Sequence, residues 1–240
     1  MNNVLAVAKR ELKSAFNSPV AYVVILGYLL FTGIYLYFIN AFYSLGQADL
    51  RAYFSIMPIV LAFLVPALTM RSWAEERRLG TYELLLTLPF SENQLVIGKF
   101  LSSFALAAIA IALTIPVPLM ASMLGSFDAG VLVAQYTGVL FEAAAAIAIG
   151  EWISSLAKNQ VSAFLGTVLV LLALVLVDRI SSFFGSGGFV ASLLNWLSLS
   201  YHFDSFSRGV VDSRDLAYYV SALVLFLYLS SWGLNRRKWS

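Results

Sequence analysis

Two carboxylates, one imidazole and one Gly-Lys pair raise the question of chemistry in this 240-residue sequence. Glu142 falls near the middle of the apolar stretch Gly130 to Ala157. An ionised carboxylate at that depth costs about 2.5 to 3.5 kcal/mol on insertion scales, so it is hidden, protonated or paired. Two readings stand side by side: a pathway or gating residue, or a carboxyl that is protonated or bonded to a neighbouring helix. Glu151 follows nine residues later, about half a turn out of phase at 100° per residue. The two carboxylates therefore point to opposite helix faces and cannot share a proton, and Glu151 reads as a contact at the cytoplasmic helix end. His202 is the only histidine. One imidazole cannot build a three- or four-ligand metal site, and no His-Glu-x-x-His run exists, so it reads as a hydrogen-bonded loop residue. Gly98-Lys99 is the only Gly-Lys pair; it is followed by Phe100 and has no glycine five residues before it. A phosphate-binding loop is excluded, and any ATP must come from a partner. The absence of cysteine removes disulfides, thiolate metal sites and cysteine nucleophiles together.

The elements that must position these residues are membrane helices. Hydrophobic residues make up 60% of the chain and charged ones 12%, with a mean hydropathy of +0.84, a bilayer composition and not that of a soluble domain. A net charge of +2 with no long basic stripe makes membrane lipids the expected surroundings and argues against nucleic acid as a partner. Crossing the hydrocarbon takes about 20 apolar residues in a helix. Six stretches meet this: Val20 to Ile39, Phe54 to Met70, Gly98 to Leu124, Gly130 to Ala157, Val161 to Val177 and Leu216 to Leu234. Pro58, Pro66, Pro116 and Pro118 predict kinks in the second and third. The first stretch runs into Asn40 without a small-x-small cleavage site and is expected to remain in the mature protein. Lys9, Arg10, Lys13, Arg71, Arg77, Arg78, Lys99, Lys158, Arg236, Arg237 and Lys238 fall on one side of these spans, against Arg51, Arg179, Arg208 and Arg214 on the other. The positive-inside rule then puts both termini in the cytoplasm, and an even number of spans agrees.

Three segments lie outside the spans. Within residues 1–18, Val4, Leu5, Ala8, Leu12, Ala15 and Phe16 share an arc of about 120° beside a basic sector, which predicts an interfacial helix on the cytoplasmic leaflet. Glu11 at the edge of that arc has no explanation in the pattern. In the region 71–95, the run Arg71, Glu75, Glu76, Arg77, Arg78 carries the second span into water, and Gly80 ends it. Thr81 then caps a short helix with Glu83 near its positive end and Leu84, Leu85, Leu86 and Leu88 as its apolar surface, until Pro89 stops it. Ser91 with Gln94 has the capping-box spacing that opens the next helix. In the outer segment 179–215, Phe189, Val190, Leu193, Leu194 and Leu197 recur at helical spacing, followed by Trp196, Tyr201, Phe203 and Phe206. This predicts short helices that dip into the outer interface. Arg208 with Gly209 reads as a helix end, and Asp212 or Ser213 as the cap of the sixth span, with Asp215 in its first turn.

The run from Glu75 through Gly80, Leu86 and Pro89 to Ser91, continued by Val96-Ile97-Gly98-Lys99-Phe100, resembles an ABC-2 family permease. Ala148-Ile149-Gly150, Ser154-Ser155-Leu156 and Asn159-Gln160 resemble the ending of that family's fourth span. Tyr201-His202-Phe203 through Arg208-Gly209-Val210, with Arg236-Arg237-Lys238-Trp239, is similar to its gliding-motility-associated branch. The resemblance covers nearly the whole chain. It implies one all-α transmembrane domain over 1–240 in the inner membrane, paired with a second permease copy, identical or a relative, and with two separate ATPase subunits. ATP and Mg would reside on those partners, with no cofactor bound by this chain. By the same resemblance Gly80 to Pro89 is the coupling helix, with Glu75, Glu76, Gly80, Thr81, Glu83, Leu84, Leu85, Leu86 and Pro89 meeting the ATPase, and the N-terminal helix is the connecting helix. The outer helices, bearing His202, Phe203, Phe206 and Arg208, cap the exit. The alternative is a six-span assembly or scaffold protein without transport, which would not need an apolar cytoplasmic helix between its second and third spans. An intramembrane enzyme is disfavoured by the lone histidine and the out-of-phase glutamates.

Overall fold

Ser18 opens the first long helix: its hydroxyl accepts from the Val20 amide at 3.4 Å, and Pro19 takes the first helical position, where no amide hydrogen is needed. The structure is a computed structural model that describes residues 2–39, 50–81, 90–122, 128–181 and 188–237. In chain order the helices are α1 (Asn2–Phe16), α2 (Pro19–Ile34), which runs on through a π turn at Tyr35–Ile39, α3 (Arg51–Ser55), α4 (Met57–Thr69), α5 (Ala74–Arg78) and α6 (Glu92–Ala112). There follow α7 (Pro116–Ala121), α8 (Ala129–Leu156), α9 (Gln160–Ser181), α10 (Phe189–Leu197), α11 (Leu199–Ser207) and α12 (Ser213–Arg237), with no strand among the described residues.

Among the described residues six helical segments are long and apolar enough to cross a membrane: Pro19–Tyr37, Met57–Arg78, Glu92–Met120, Ala129–Leu156, Gln160–Ser181 and Ser213–Asn235. Each overlaps one of the six stretches expected from the sequence, and the chain is an all-α, multi-pass membrane protein. The prolines act as their chemistry demands. Pro58 occupies the first turn of α4, while Pro66 lies inside it. Pro116 and Pro118 break the third span after Ala112, where tighter bonds from the Thr114 amide to Ile111 O and from the Ile115 amide to Ala112 O bridge to α7.

Helix α8 is the axis of the bundle, packing against α4, α6, α9, α11 and α12. Small residues make this close approach possible. Ala143, Ala145 and Ala148 are fully buried, and a Cβ at Gly138 would sit 2.5 Å from Phe206 Cβ on α11. Leu26 and Leu30 on α2, Leu165 and Leu169 on α9, and Val224 and Tyr228 on α12 are exposed on the outside of the bundle.

The two ends of the chain meet. Val7 of α1 and Leu234 of α12 join Trp73, Leu95 and Val96 in one buried cluster, so both termini lie at the same end of the bundle. Helix α1 is docked on α6 as well as amphipathic: Val7 is 4% exposed and leans over Gly98, where a Cβ would come within 2.7 Å of it. The apolar arc read from the sequence omits Val7 and includes Leu5, which is 50% exposed. Val4, Ala8, Leu12, Ala15 and Phe16 of that arc are half-buried, so the arc is part of the docking face, which reaches past its edge to Glu11 and Val7.

At the opposite end His202 is part of a helix, α11, not of a loop as expected. Asp212 Oδ1 accepts from the Arg214 amide at 2.9 Å and is the cap of α12. Gly209 turns the chain after α11 with φ +83, a left-handed conformation that favours glycine.

Candidate functional site: a buried polar joint at one end of the bundle

The joint is assembled from four stretches of chain far apart in sequence. Glu151, fully buried on α8, accepts hydrogen bonds from three donors. Ser72 Oγ (3.0 Å) and Trp73 Nε1 (3.1 Å) donate to Oε2, and Ser103 Oγ donates to Oε1 at 3.1 Å. One turn further, Ser154 Oγ accepts from the Trp73 and Ala74 amides at 3.2 and 3.3 Å, satisfying two amides at the start of α5. Arg77 donates to Ala157 O at 2.8 Å and to Ser155 O, closing over the exposed carbonyls that end α8. The short α5, which carries the chain toward residue 82, is thus fastened to α8 through both side chains and backbone.

Lys99 ties in two more elements. Its ammonium, 2% exposed, donates to Ser72 O at 2.7 Å and to Glu76 Oε1 at 2.9 Å, and lies 3.4 Å from Glu11 Oε1 on α1. The same nitrogen stands 4.9 Å from the centre of the Trp73 ring. Arg10 bonds Glu11 at 2.6 Å. Burial pushes the Glu11 carboxyl up, but the Lys99 charge and the Arg10 contact outweigh it and hold it below its ordinary value. The carboxylate that breaks the apolar arc of α1 is the one that anchors α1 to the bundle.

The residues expected to meet an ATPase divide here. Glu75 is bound by Arg71 through both oxygens, at 2.9 and 3.2 Å, and Glu76 belongs to the Lys99 cluster, so both are committed to holding α5. Gly80 has φ +70 and ends the stem. Thr81 Oγ1 donates back to Glu76 O at 3.3 Å. Glu83, Leu84, Leu85, Leu86 and Pro89 lie outside the described residues. Beyond them, the Ser91 and Gln94 capping box is formed by both of its bonds.

Glu142 is a different case. It is 1% exposed and close to Tyr218 and Tyr219 on α12, yet its Oε2 finds no hydrogen-bond partner among the described residues. At the far end His202 Nδ1 is 2.7 Å from Asp215 Oδ1 and Nε2 is 3.1 Å from Trp196 O, with the ring stacked 3.9 Å from Tyr218. Both ring nitrogens thus have an oxygen partner. Phe203 and Phe206 are buried against the spans, while Arg208 pairs with Asp204 at 3.2 Å on the surface. Among the described residues no group of three or more histidines or carboxylates is arranged to hold a metal ion.

Sequence reasoning missed Lys99, Arg77, Trp73 and the three serines as members of one site. The only signal was a lysine inside an apolar span, which demands a buried counter-charge.

The family described as ABC-2 family transporter protein matches this chain over residues 5–232. A search among curated proteins found no match.

Proposed function

The chain belongs to the ABC-2 transporter family and is a membrane-spanning transport subunit; from that premise we propose that it forms the pathway of an ATP-driven exporter and is driven by separate ATPase subunits through residues 82–89. The observation that supports this is the fastening of α5. A partner seated on the segment after Gly80 pulls on a stem held by Ser154, Glu151 and Lys99, so its motion passes to α8, α6 and α1 together. Coupling requires a contact whose energy differs between two arrangements of the membrane helices. A stem with fewer attachments would bend instead of transmitting.

In this proposal two ATPase subunits carry ATP and Mg, and a second permease copy completes the pathway. Both termini face the cytoplasm of the inner membrane, in accord with the basic asymmetry of the sequence. The ATPase contact comprises Glu75, Glu76, Gly80, Thr81, Glu83, Leu84, Leu85, Leu86 and Pro89; of these Glu75 and Glu76 act as the stem's anchors. Glu142 is the polar group a pathway meets at mid-membrane, and α10 and α11 cap its exit. The similarity of Tyr201 to Val210 to the gliding-motility-associated branch extends the proposal to that branch.

The test is Leu85→Asp with Leu86→Asp. Burying two leucines at about 1.5 to 3 kcal/mol each is enough to seat a partner, so the double variant should insert normally and lose its ATPase on affinity purification. Normal co-purification together with normal transport overturns the assignment.

A further inference from the structure

Two concavities meet at Val24 and Ala67, which line both. The first, of about 450 Å³, opens among α1, α2, α4, α5 and α6 at the end of the bundle that holds the polar joint. Its ionisable lining is Arg10, Arg71, Lys99, Glu11, Glu75 and Glu76, three cations facing three carboxylates. The second, of about 420 Å³, is an apolar groove that runs along the membrane between α2 and α4, past Gly27, Phe31, Val60, Phe63 and Leu64. A charged basin at the interface that continues into an apolar groove at membrane depth has the shape of an amphiphile.

The chemistry narrows the occupant. Arg71 uses one hydrogen each on Nε, Nη1 and Nη2 for Glu75 and Ser18, which leaves two of the five guanidinium hydrogens for another acceptor. Arg10 is half-exposed beside it. Glu11 is bound through Oε1 alone among the described residues. The basin thus offers donors for an anion and an acceptor for a cation within a lining of zero net charge, which favours a zwitterion over a net anion. In the groove, a Cβ at Gly27 would touch nothing within 4 Å, and Phe31 and Phe63 are half-exposed. An α-helix is about 10 to 12 Å across with its side chains and would enter the groove only by side-chain tips, whereas an acyl chain lies in it whole.

We propose that the joined cavities hold one phospholipid of the adjoining leaflet with a zwitterionic, primary-ammonium headgroup. The phosphate sits on Arg71 and Arg10, the ammonium on Glu11, and one acyl chain in the groove between α2 and α4. The lipid braces α1 against α2 across Ser18 and closes the polar joint on its open side. This site depends on the chain spanning a membrane but not on what it transports.

Native mass spectrometry of the full-length chain in mild detergent tests it, with phosphatidylethanolamine, phosphatidylcholine and phosphatidylglycerol of identical chains as probes. The expected result is one phosphatidylethanolamine retained under activation that strips the other two, because only its ammonium carries hydrogens for Glu11. Arg71→Gln should weaken retention about tenfold, the scale of one charge-assisted hydrogen bond. Gly27→Leu, which fills the groove without touching the basin, should weaken it without affecting the α-helical circular dichroism. Equal retention of all three lipids, preference for phosphatidylglycerol, or full retention by folded Gly27→Leu overturns the proposal. So does a photo-crosslinker at Gly27 that captures a second copy of this chain instead of lipid.

Discussion

Glu151 and Glu142 lie on one helix, both buried, and differ in almost everything else. Glu151 is met by three donors from two other stretches of chain, and its carboxyl is part of the packing. Glu142 has an oxygen without a partner at the depth where an unpaired carboxylate is most costly. Burial of an acidic residue says little about its role; the count of donors around it says more. A carboxylate surrounded by fixed donors is a fastener, whereas one left short of partners is retained for something other than stability.

The strongest way to break this contrast is to remove each carboxylate in turn. Glu151→Leu leaves Ser72, Trp73 and Ser103 facing an apolar group, at about 1 to 3 kcal/mol for each buried donor left unmade. That should abolish a monodisperse peak in size-exclusion chromatography or sharply lower the thermal midpoint. Glu142→Leu exchanges a buried carboxyl with an unpartnered oxygen for an apolar side chain and should fold as well as the parent or better, while transport falls if the carboxyl lines the pathway. Equal losses of folding in the two variants would erase the distinction drawn here.

Lys99→Met sharpens it at the next level. The change strips Glu76 and Glu11 of their shared cation, a loss of about 2 kcal/mol once the partial exposure of both acids is discounted. Helix α1 should then detach more readily than the spans, read as faster proteolysis between Phe16 and Pro19 with an unchanged membrane-embedded core. Intact protection of α1 would mean that Val7 on Gly98 suffices without the charge cluster.

The smallest effect belongs to the outer half of α8. Gly138→Ala pushes a methyl group toward Phe206 Cβ, 2.5 Å away, and overpacking of this kind costs about 1 to 3 kcal/mol. A thermal melt should drop by less than for Glu151→Leu. An unchanged melt would show that α11 can move away from α8 at no cost.

Much of this molecule is legible from local pattern. The six spans follow from apolar length, the Ser91 and Gln94 capping box from two residues at the right spacing, and the Asp212 cap and Gly209 turn from short-range chemistry. The joint is not legible because it is long-range. Ser72 and Ser103 are ordinary serines until the fold brings them to Glu151, 79 and 48 residues away. Val7 and Glu11 escape an amphipathicity argument because the face of α1 that docks on α6 reaches past the apolar arc, and its edge is held by a charge cluster that periodicity does not show.

The position of Glu151 in the chain also bears on how the protein is made. Every donor that satisfies it, Ser72, Trp73 and Ser103, is synthesised before it. As the fourth span leaves the insertion machinery its buried carboxylate meets partners already in the bilayer, so a charge that would resist entry alone enters against a prepared surface. Glu142 has no such welcome: the tyrosines near it belong to α12, which is made after it. The half of α8 that contains Glu151 can settle as soon as the fourth span is made, and the half that contains Glu142 waits for α12.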